Sequence, residues 1–214
     1  MNELKNRLAG KFIVIDGPDG CGKTTQVKLL ADWLKKNNIK VRTYRDPGDT
    51  SIGEKIRKIL LNPQHCEMDT RTELLLYMAA RAQLWQEKIA PVLKKGYAVL
   101  LDRWVSSSCA YQGFAGGFGM DNVNKLAGNC LERVWPDLTI ILDVDMETSS
   151  ARLKKSLDRM EQKGAVYHEK VRQGFLNLAK KRKGFKVIKA DKSIEVTHGG
   201  ITKEVLKIKQ VGTE

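Results

Sequence analysis

The stretch IDGPDGCGKTTQ, residues 15–26, places glycines, a lysine and a hydroxyl at the spacing G-x-x-x-x-G-K-[ST]. Residue types in that order hold phosphate. Gly17, Gly20 and Gly22 let the backbone turn its N–H groups inward around phosphate oxygens. A helix starting near Lys23 points its positive end at the same anion. Lys23 then reaches the β and γ phosphates, and the Thr24 hydroxyl suits Mg²⁺. Pro18, Asp19, Cys21 and Thr25 complete the nucleotide-binding set. Cys21 reads as a small space-filling residue or as a thiol activated by the helix end, and its exposure separates the two. The loop alone serves motors, switches and small-molecule phosphotransferases, so it fixes a nucleotide triphosphate and leaves the acceptor open.

Acceptor chemistry is sought in four further segments. VLLDRW, residues 99–104, ends an apolar run with Asp102, an acid suited to holding Mg²⁺ through water. The next residue is Arg103, where an enzyme that activates water would place a second acid; an arginine invites a second anion. In YRDPGDTSIGEKIR, 44–57, Arg45 precedes a Pro47-Gly48 turn that can fix it as a second clamp. Tyr77 and Arg81 in ELLLYMAARAQLW, 73–85, share a helix face. They suit stacking a base and gripping its edge; taken alone, the pair reads rather as a core tyrosine beside a surface arginine, which helix faces make constantly. Ser108, Tyr111 and Gln112 of SSSCAYQGF, 106–114, offer hydroxyls and an amide to base edges and sugar. The charged stretch ARLKKSLDRMEQKG, 151–164, carries Arg152, Lys154, Lys155 and Arg159. These can close over the triphosphate as a lid, because the phosphate loop has Gly20 and Cys21 where an arginine could otherwise stand.

The elements that must position these groups alternate. KFIVID (11–16), KVRTYR (40–45), YAVLLD (97–102), LTIILDVD (138–145) and FKVIKA (185–190) read as strands with helices between them. That order predicts an α/β fold, a five-stranded parallel sheet with helices on both faces. The polar motifs follow strand ends at Asp16, Arg45, Asp102 and Asp145, on the side where such sheets bind ligands. Ser51 and Glu54 suggest a capping box. Thr70 and Glu73 suggest the start of a long helix to about Lys95, capped by Gly96 and kinked or divided by Pro91. Residues 105–118 read as a mobile or tightly turned segment, 121–134 as a helix, 147–157 and 165–183 as helices, and about 201–210 as a terminal helix. The expectation is one domain, 1–214, with a lid at about 151–164.

Composition narrows the class. The chain has 214 residues, 42% hydrophobic and 29% charged, and no apolar run approaches the roughly 18–20 residues that span a bilayer. The short apolar run FIVI leads directly into the phosphate loop, so a secretory signal is rejected. Four cysteines without a C-x-x-C pair, and three histidines, argue against a zinc site or disulfide framework and for reduced thiols in the cytoplasm. The net charge of +13 is spread over helices, which suits anionic substrates better than nucleic acid as the main ligand.

Taken together, GPDGCGKTTQ, RDPGDTSIGEKIR, ELLLYMAARAQ, LDRWVSSSCAYQG, PDLTIILDVD and DRMEQKGAVYHEKVRQGFLNLA resemble, in order from about residue 11 to 190, the thymidylate kinase family. The resemblance implies a phosphate-loop NTPase fold of the nucleoside monophosphate kinase type, strand order 2-3-1-4-5. It implies phosphorylation of dTMP to dTDP by ATP with Mg²⁺, and a homodimer, for which residues 73–85 and 123–134 offer apolar faces. It assigns Asp19 to the sugar 3′-hydroxyl, Arg45 and Arg103 to the acceptor phosphate, and Tyr77, where the family usually has Phe, to stacking on thymine. Arg81 falls on the thymine edge, Ser108 and Gln112 on the base, and Tyr111 beneath the sugar, where a 2′-hydroxyl would collide. Catalysis falls to Lys23 and Arg103 with a lid arginine, Arg152 or Arg159, as in the bacterial subgroup whose lid supplies it.

Three residues depart from the pattern. The usual REPGGT is RDPGDT here, with Asp46 a shorter acid and Asp49 in place of a glycine, and Trp104 follows Asp-Arg in place of Tyr or His. The rival readings are a deoxynucleoside or other nucleoside monophosphate kinase, or, in another class, a phosphate-loop ATPase or nucleic-acid-binding protein. The ATPase has no N-K-x-D for guanine and no second acid after Asp102 to support it, and a nucleic-acid-binding protein explains the charge but leaves the site unexplained.

Overall fold

Runs of Val, Ile, Leu and Phe bounded by polar residues form five short parallel strands. They are β1 (Phe12–Asp16), β2 (Val41–Arg45), β3 (Ala98–Asp102), β4 (Leu138–Asp143) and β5 (Phe185–Lys189), ordered β2-β3-β1-β4-β5. The computed structural model describes residues 2–153 and 157–209. Every residue of β1, β3 and β4 is buried, as central strands covered on both faces must be. Register aligns the acidic ends: Ile15 pairs with Asp102, and Arg45 pairs with Asp102 from the other side.

The twofold alternation of the strands divides the core. Phe12, Val14, Val99 and Leu101 face one layer, and Ile13, Ile15, Leu100 and Leu142 the other. The first layer is built by α4 (Thr70–Leu84), α5 (Ala90–Lys94), α6 (Val105–Ser108), α7 (Met120–Cys130) and α9 (Ala165–Lys181). The second is built by α1 (Asn2–Leu8), α2 (Lys23–Lys36) and α10 (Ile194–Val205). Each fully buried Leu, Ile or Phe contributes roughly 1.5–3 kcal/mol. Trp104 fills the first layer edge-on to Phe12 at 5.4 Å, its indole N–H on the Val134 carbonyl. Its substitution for Tyr or His is therefore absorbed by the core.

Several local expectations are corrected. The helix α3 (Ser51–Leu61) is capped by Thr50, whose hydroxyl accepts from Gly53 N–H at 2.9 Å, not by Ser51. Glu54 instead accepts from the Asp49 N–H and from Arg45, both at 2.8 Å. Asp69, not Thr70, caps α4. The long helix is divided as Pro91 requires: five π-helical residues, Trp85–Ile89, precede α5, which carries Pro91 in its first turn. Gly96 follows its C-cap at φ +75°. Residues 105–118 are largely helical, since α6 runs into π-helical Cys109–Ala115. That wide turn is buried because Gly174 of α9 lets it approach; a Cβ there would meet Ala110 Cα at 3.0 Å. The helix read at 121–134 ends at Cys130, and α8 covers Met146–Arg152. The terminal helix begins at Ile194, not 201, because Ser193 caps it and Gly199-Gly200 lies inside it, Gly200 packing on Ile188. Lys154 and Lys155 lie outside the described residues.

Candidate active site

The loop after β1 and the N-terminus of α2 form one end of a cavity of about 530 Å³ at the carboxyl ends of the strands. The helix starts at Lys23, as the motif requires. Lys23 is buried, and its ammonium donates to the Gly17 carbonyl at 3.1 Å and the Pro18 carbonyl at 2.7 Å. Gly20, Gly22, Thr24 and Thr25 line the cavity. Gly20 sits at φ +74°, and a Cβ on it would meet the Ser149 carbonyl oxygen at 2.5 Å. Ser149 also donates to the Asp19 carbonyl at 2.6 Å, so α8 is seated on the loop. An arginine at position 20 has no room. Cys21 is buried behind the loop, and burial raises its thiol pKa, so it is a packing residue.

The chain turns sharply after β3. Arg103 adopts φ +69°, a left-handed conformation that costs a non-glycine residue of order 1–3 kcal/mol. The turn sends its side chain back toward the loop. Nη1 donates to the Gly17 carbonyl at 3.1 Å and to Ser107 Oγ at 3.0 Å, and Nη2 pairs with Asp19. The guanidinium lies 5.5 Å over the Tyr111 ring, and the Tyr111 hydroxyl donates to Asp19 at 2.7 Å. Burial alone would raise the Asp19 carboxyl pKa; Arg103, Lys23 and Tyr111 more than offset it and hold it below the usual value. Burial and the Asp19 charge keep the Tyr111 phenol protonated far up the pH scale. Thr24 Oγ1 donates to Asp102 at 2.7 Å, placing a hydroxyl and a carboxylate side by side next to the phosphate loop.

Arginines gather at the other end. Arg45 is partly exposed at the end of β2 and pairs with Glu54 at 2.8 Å. Asp49 takes φ +58°, and its carboxylate accepts from the Arg45 N–H at 2.7 Å. An aspartate tolerates that conformation better than most residues, and it contributes a turn bond that glycine lacks. Arg57 lines the same wall, donates to the Pro47 carbonyl at 3.0 Å, and has its pKa lowered by burial and by Arg45. Like charges crowded into a cavity mark an anion site.

Arg81 also lines the cavity, but its guanidinium is buried and committed. Nε donates to Asp46 Oδ2 at 2.7 Å, Nη1 to Ser108 Oγ at 3.2 Å and Nη2 to the Trp104 carbonyl at 3.2 Å. The shorter acid at position 46 thus matches a buried ion pair. Tyr77 lies on the same wall with its phenol pKa raised by burial and by Glu73, and Gln112 donates to Glu73 at 2.7 Å.

The structure separates the two arginines expected of a lid. Arg152, at the end of α8, lines the cavity and donates to the Ala190 carbonyl at 3.0 Å. Arg159 does not line it: its side chain is buried, donating to the Leu60 carbonyl at 2.7 Å and pairing with Glu73 at 2.6 Å. Sequence reasoning missed three residues. Asp16, fully buried, accepts from Ser106 at 2.6 Å and Ser107 at 2.7 Å; its signal was the acid closing β1. Arg57 was quoted within its segment but given no role. Glu73 was taken for a cap, since nothing in one helix shows what crosses over it.

A phosphate loop, an Asp-Arg turn on the adjacent strand and an arginine-lined far wall, in one cleft of a 2-3-1-4-5 sheet, define a phosphoryl transferase of the nucleoside monophosphate kinase class. The thymidylate kinase family model matches residues 15–201. The thymidylate kinase of Thermosipho africanus is 44% identical over 185 residues, 86% of this chain and 92% of its own. That of a Geobacillus species is 43% identical over 178 residues, 81% and 85% of the two chains. The crystal structure of thymidylate kinase from Ehrlichia chaffeensis superposes with a TM-score of 0.76 at 30% identity, covering 92% of this chain and 99% of that one. The chain belongs to the thymidylate kinase family. It transfers a phosphoryl group from ATP to dTMP, giving dTDP, and the nucleoside kinase and ATPase readings are not favoured.

Proposed function

We propose that the ATP γ-phosphoryl passes in line to the dTMP 5′-phosphate across the gap that Arg103 spans. One observation carries this. Arg103 is turned by its left-handed backbone to touch the phosphate loop at Gly17 and Asp19 while lying against Tyr111. The acceptor oxygen is already anionic, so no strong base is needed and positioning with charge compensation does the work. Lys23 leaves its loop carbonyls for the β and γ phosphates. Arg45, Arg57 and Arg103 hold the acceptor phosphate. Tyr77 stacks on thymine, with Arg81, Ser108 and Gln112 at its edge. Tyr111 lies beneath the deoxyribose, and Asp19 takes the 3′-hydroxyl.

Thr24 and Asp102 fit Mg²⁺: both are oxygen donors, 2.7 Å apart beside the phosphates, and this ion binds through few protein groups plus phosphate and water. Bound there, it would neutralise charge on the β and γ phosphates. Arg152 is the lid arginine favoured by geometry, being exposed and on the cavity wall, whereas Arg159 is held elsewhere by Glu73. The lid at about 151–164, in a single domain, excludes water when it closes. A cytoplasmic homodimer completes the reading. Exposed Ile52, Ile59 and Leu75 on the packed pair α3 and α4 support an interface there.

The test is ADP release on adding dTMP, thymidine, UMP or no acceptor. Release with dTMP, most of which Arg103→Ala loses, is expected. Normal turnover by that variant would refute the clamp.

A further inference from the structure

We propose that Glu73 sets how the base is read, by fixing the Gln112 amide in one orientation and tying it to the segment that carries Arg159. The proposal rests on the placement of Gln112 at the thymine edge. Glu73 lies one turn before Tyr77 on α4 and is fully buried. A buried carboxylate must be partnered, and here both oxygens are. Oε1 accepts from Gln112 Nε2 at 2.7 Å. Oε2 is ion-paired with Arg159 Nη1 at 2.6 Å and accepts from Lys163 Nζ at 3.3 Å.

An ionised carboxylate can only accept, so Gln112 must present its NH₂ to it. The amide is then no longer free to flip, and its carbonyl oxygen is the end left for the cavity that Gln112 lines. Among the described residues no donor reaches that oxygen. An acceptor fixed in a pyrimidine pocket matches a ring N3 that carries hydrogen, as in thymine. Cytosine presents a bare N3, which also accepts, and the two lone pairs repel. Gln112 thus reads the ring, while Glu73, which touches no substrate, is a positioning residue.

The same carboxylate anchors the far side of the lid. Arg159, held by Glu73, also donates from Nε to the Leu60 carbonyl at 2.7 Å and from its backbone N–H to the Leu61 carbonyl at 3.2 Å. One buried charge therefore joins α4, the turn bearing Gln112 and residues 159–163.

Glu73→Gln keeps the shape and removes the charge. Its carbonyl stays with Arg159 and Lys163, so its NH₂ faces Gln112 and draws the Gln112 carbonyl to it in place of the NH₂. The kcat/KM ratio of dTMP to dCMP is expected to fall about 10- to 100-fold, the worth of one buried hydrogen bond set wrongly. In the Gln112→Leu background the same substitution should move the ratio no further. A merely structural role would lower Tm and leave the ratio alone. If Gln112→Leu lowers the ratio and Glu73→Gln does not, the proposal is overturned while the base assignment stands. If Gln112→Leu leaves the ratio unchanged, the base assignment falls and the proposal with it. A second measurement needs no change at Glu73. The Gln112 side-chain NH₂ signals, assigned by their loss in Gln112→Leu, should stay slow to exchange when dTMP is added. Loss of that protection on binding overturns the proposal.

Discussion

Arg103 and Asp19 are joined as an ion pair between the turn after β3 and the phosphate loop, and the Tyr111 hydroxyl donates to the same carboxylate. The Arg103 end of the pair is held at φ +69°. Removing the guanidinium should cost about 10²–10³ in kcat/KM for dTMP, the usual loss when one preorganised charge-stabilising donor is deleted. Alanine keeps the Cβ that makes φ +69° costly and leaves the buried Asp16 and Asp19 carboxylates without their guanidinium, so Tm should fall as well. Steady-state kinetics and a melting curve of Arg103→Ala check both halves.

Asp46 is the sole acidic partner of the buried Arg81 guanidinium among the described residues. Asp46→Ala leaves that charge uncompensated and should destabilise the fold by about 3–5 kcal/mol. Asp46→Glu restores the family's more usual acid but adds a methylene to a buried ion pair, at about 1–3 kcal/mol. Denaturant unfolding of the two variants should rank them in that order.

At φ +74° and with Ser149 against it, Gly20 accepts no side chain. Gly20→Ala should push α8 off the phosphate loop and raise KM for ATP more than KM for dTMP, as separate titrations of the two substrates would show.

Asp143 accepts from Arg172 at 2.6 and 3.1 Å and from Lys189 at 2.8 Å. Burial alone would raise its pKa, but these hydrogen bonds hold it below the model-peptide value of 3.8. A carboxyl with a depressed folded-state pKa stabilises fully above its unfolded value, and the contribution is lost as pH falls through the folded one. Tm of the parent should therefore exceed that of Asp143→Asn at neutral pH, with the curves converging below about pH 3.8.

Of the four cysteines, Cys66 and Cys130 are exposed and Cys21 and Cys109 buried. Burial pushes the Cys109 thiol up to about 12 and raises that of Cys21 as well. A chromogenic disulfide reagent should titrate two thiols quickly and the other two only on unfolding, and mass mapping should find Cys21 unlabelled in the native protein.

The phosphate loop was legible in the sequence because its chemistry is local. Glycine spacing, lysine and threonine lie within eight residues of chain, and the helix they require begins where they say, at Lys23. The sheet was legible too, since strands buried on both faces are mostly apolar, and β1, β3 and β4 are so up to the aspartate that closes each, with Thr139 the one other polar residue. Helix ends were less so. Thr50 and Ser51 are equally good caps as letters, and backbone direction chose Thr50. The terminal helix, expected from about 201, starts at Ile194 with Gly199 and Gly200 inside it, and Ile188, beside Gly200, is on another element.

By itself the sequence determined which residue types are present for phosphate, base and sugar, and that they fall at strand ends. Only the tertiary structure decided which charges are spent on one another. Arg159 and Arg152 are seven residues apart and alike in type, yet one is buried against Glu73 and the other lines the cavity. Asp46, read as a departure, is the counter-charge of Arg81, and Glu73, read as a helix start, holds Gln112 and Arg159 together. The reason is physical. A buried charge must find a partner, and the partner is chosen by proximity in space, which separation along the chain does not encode.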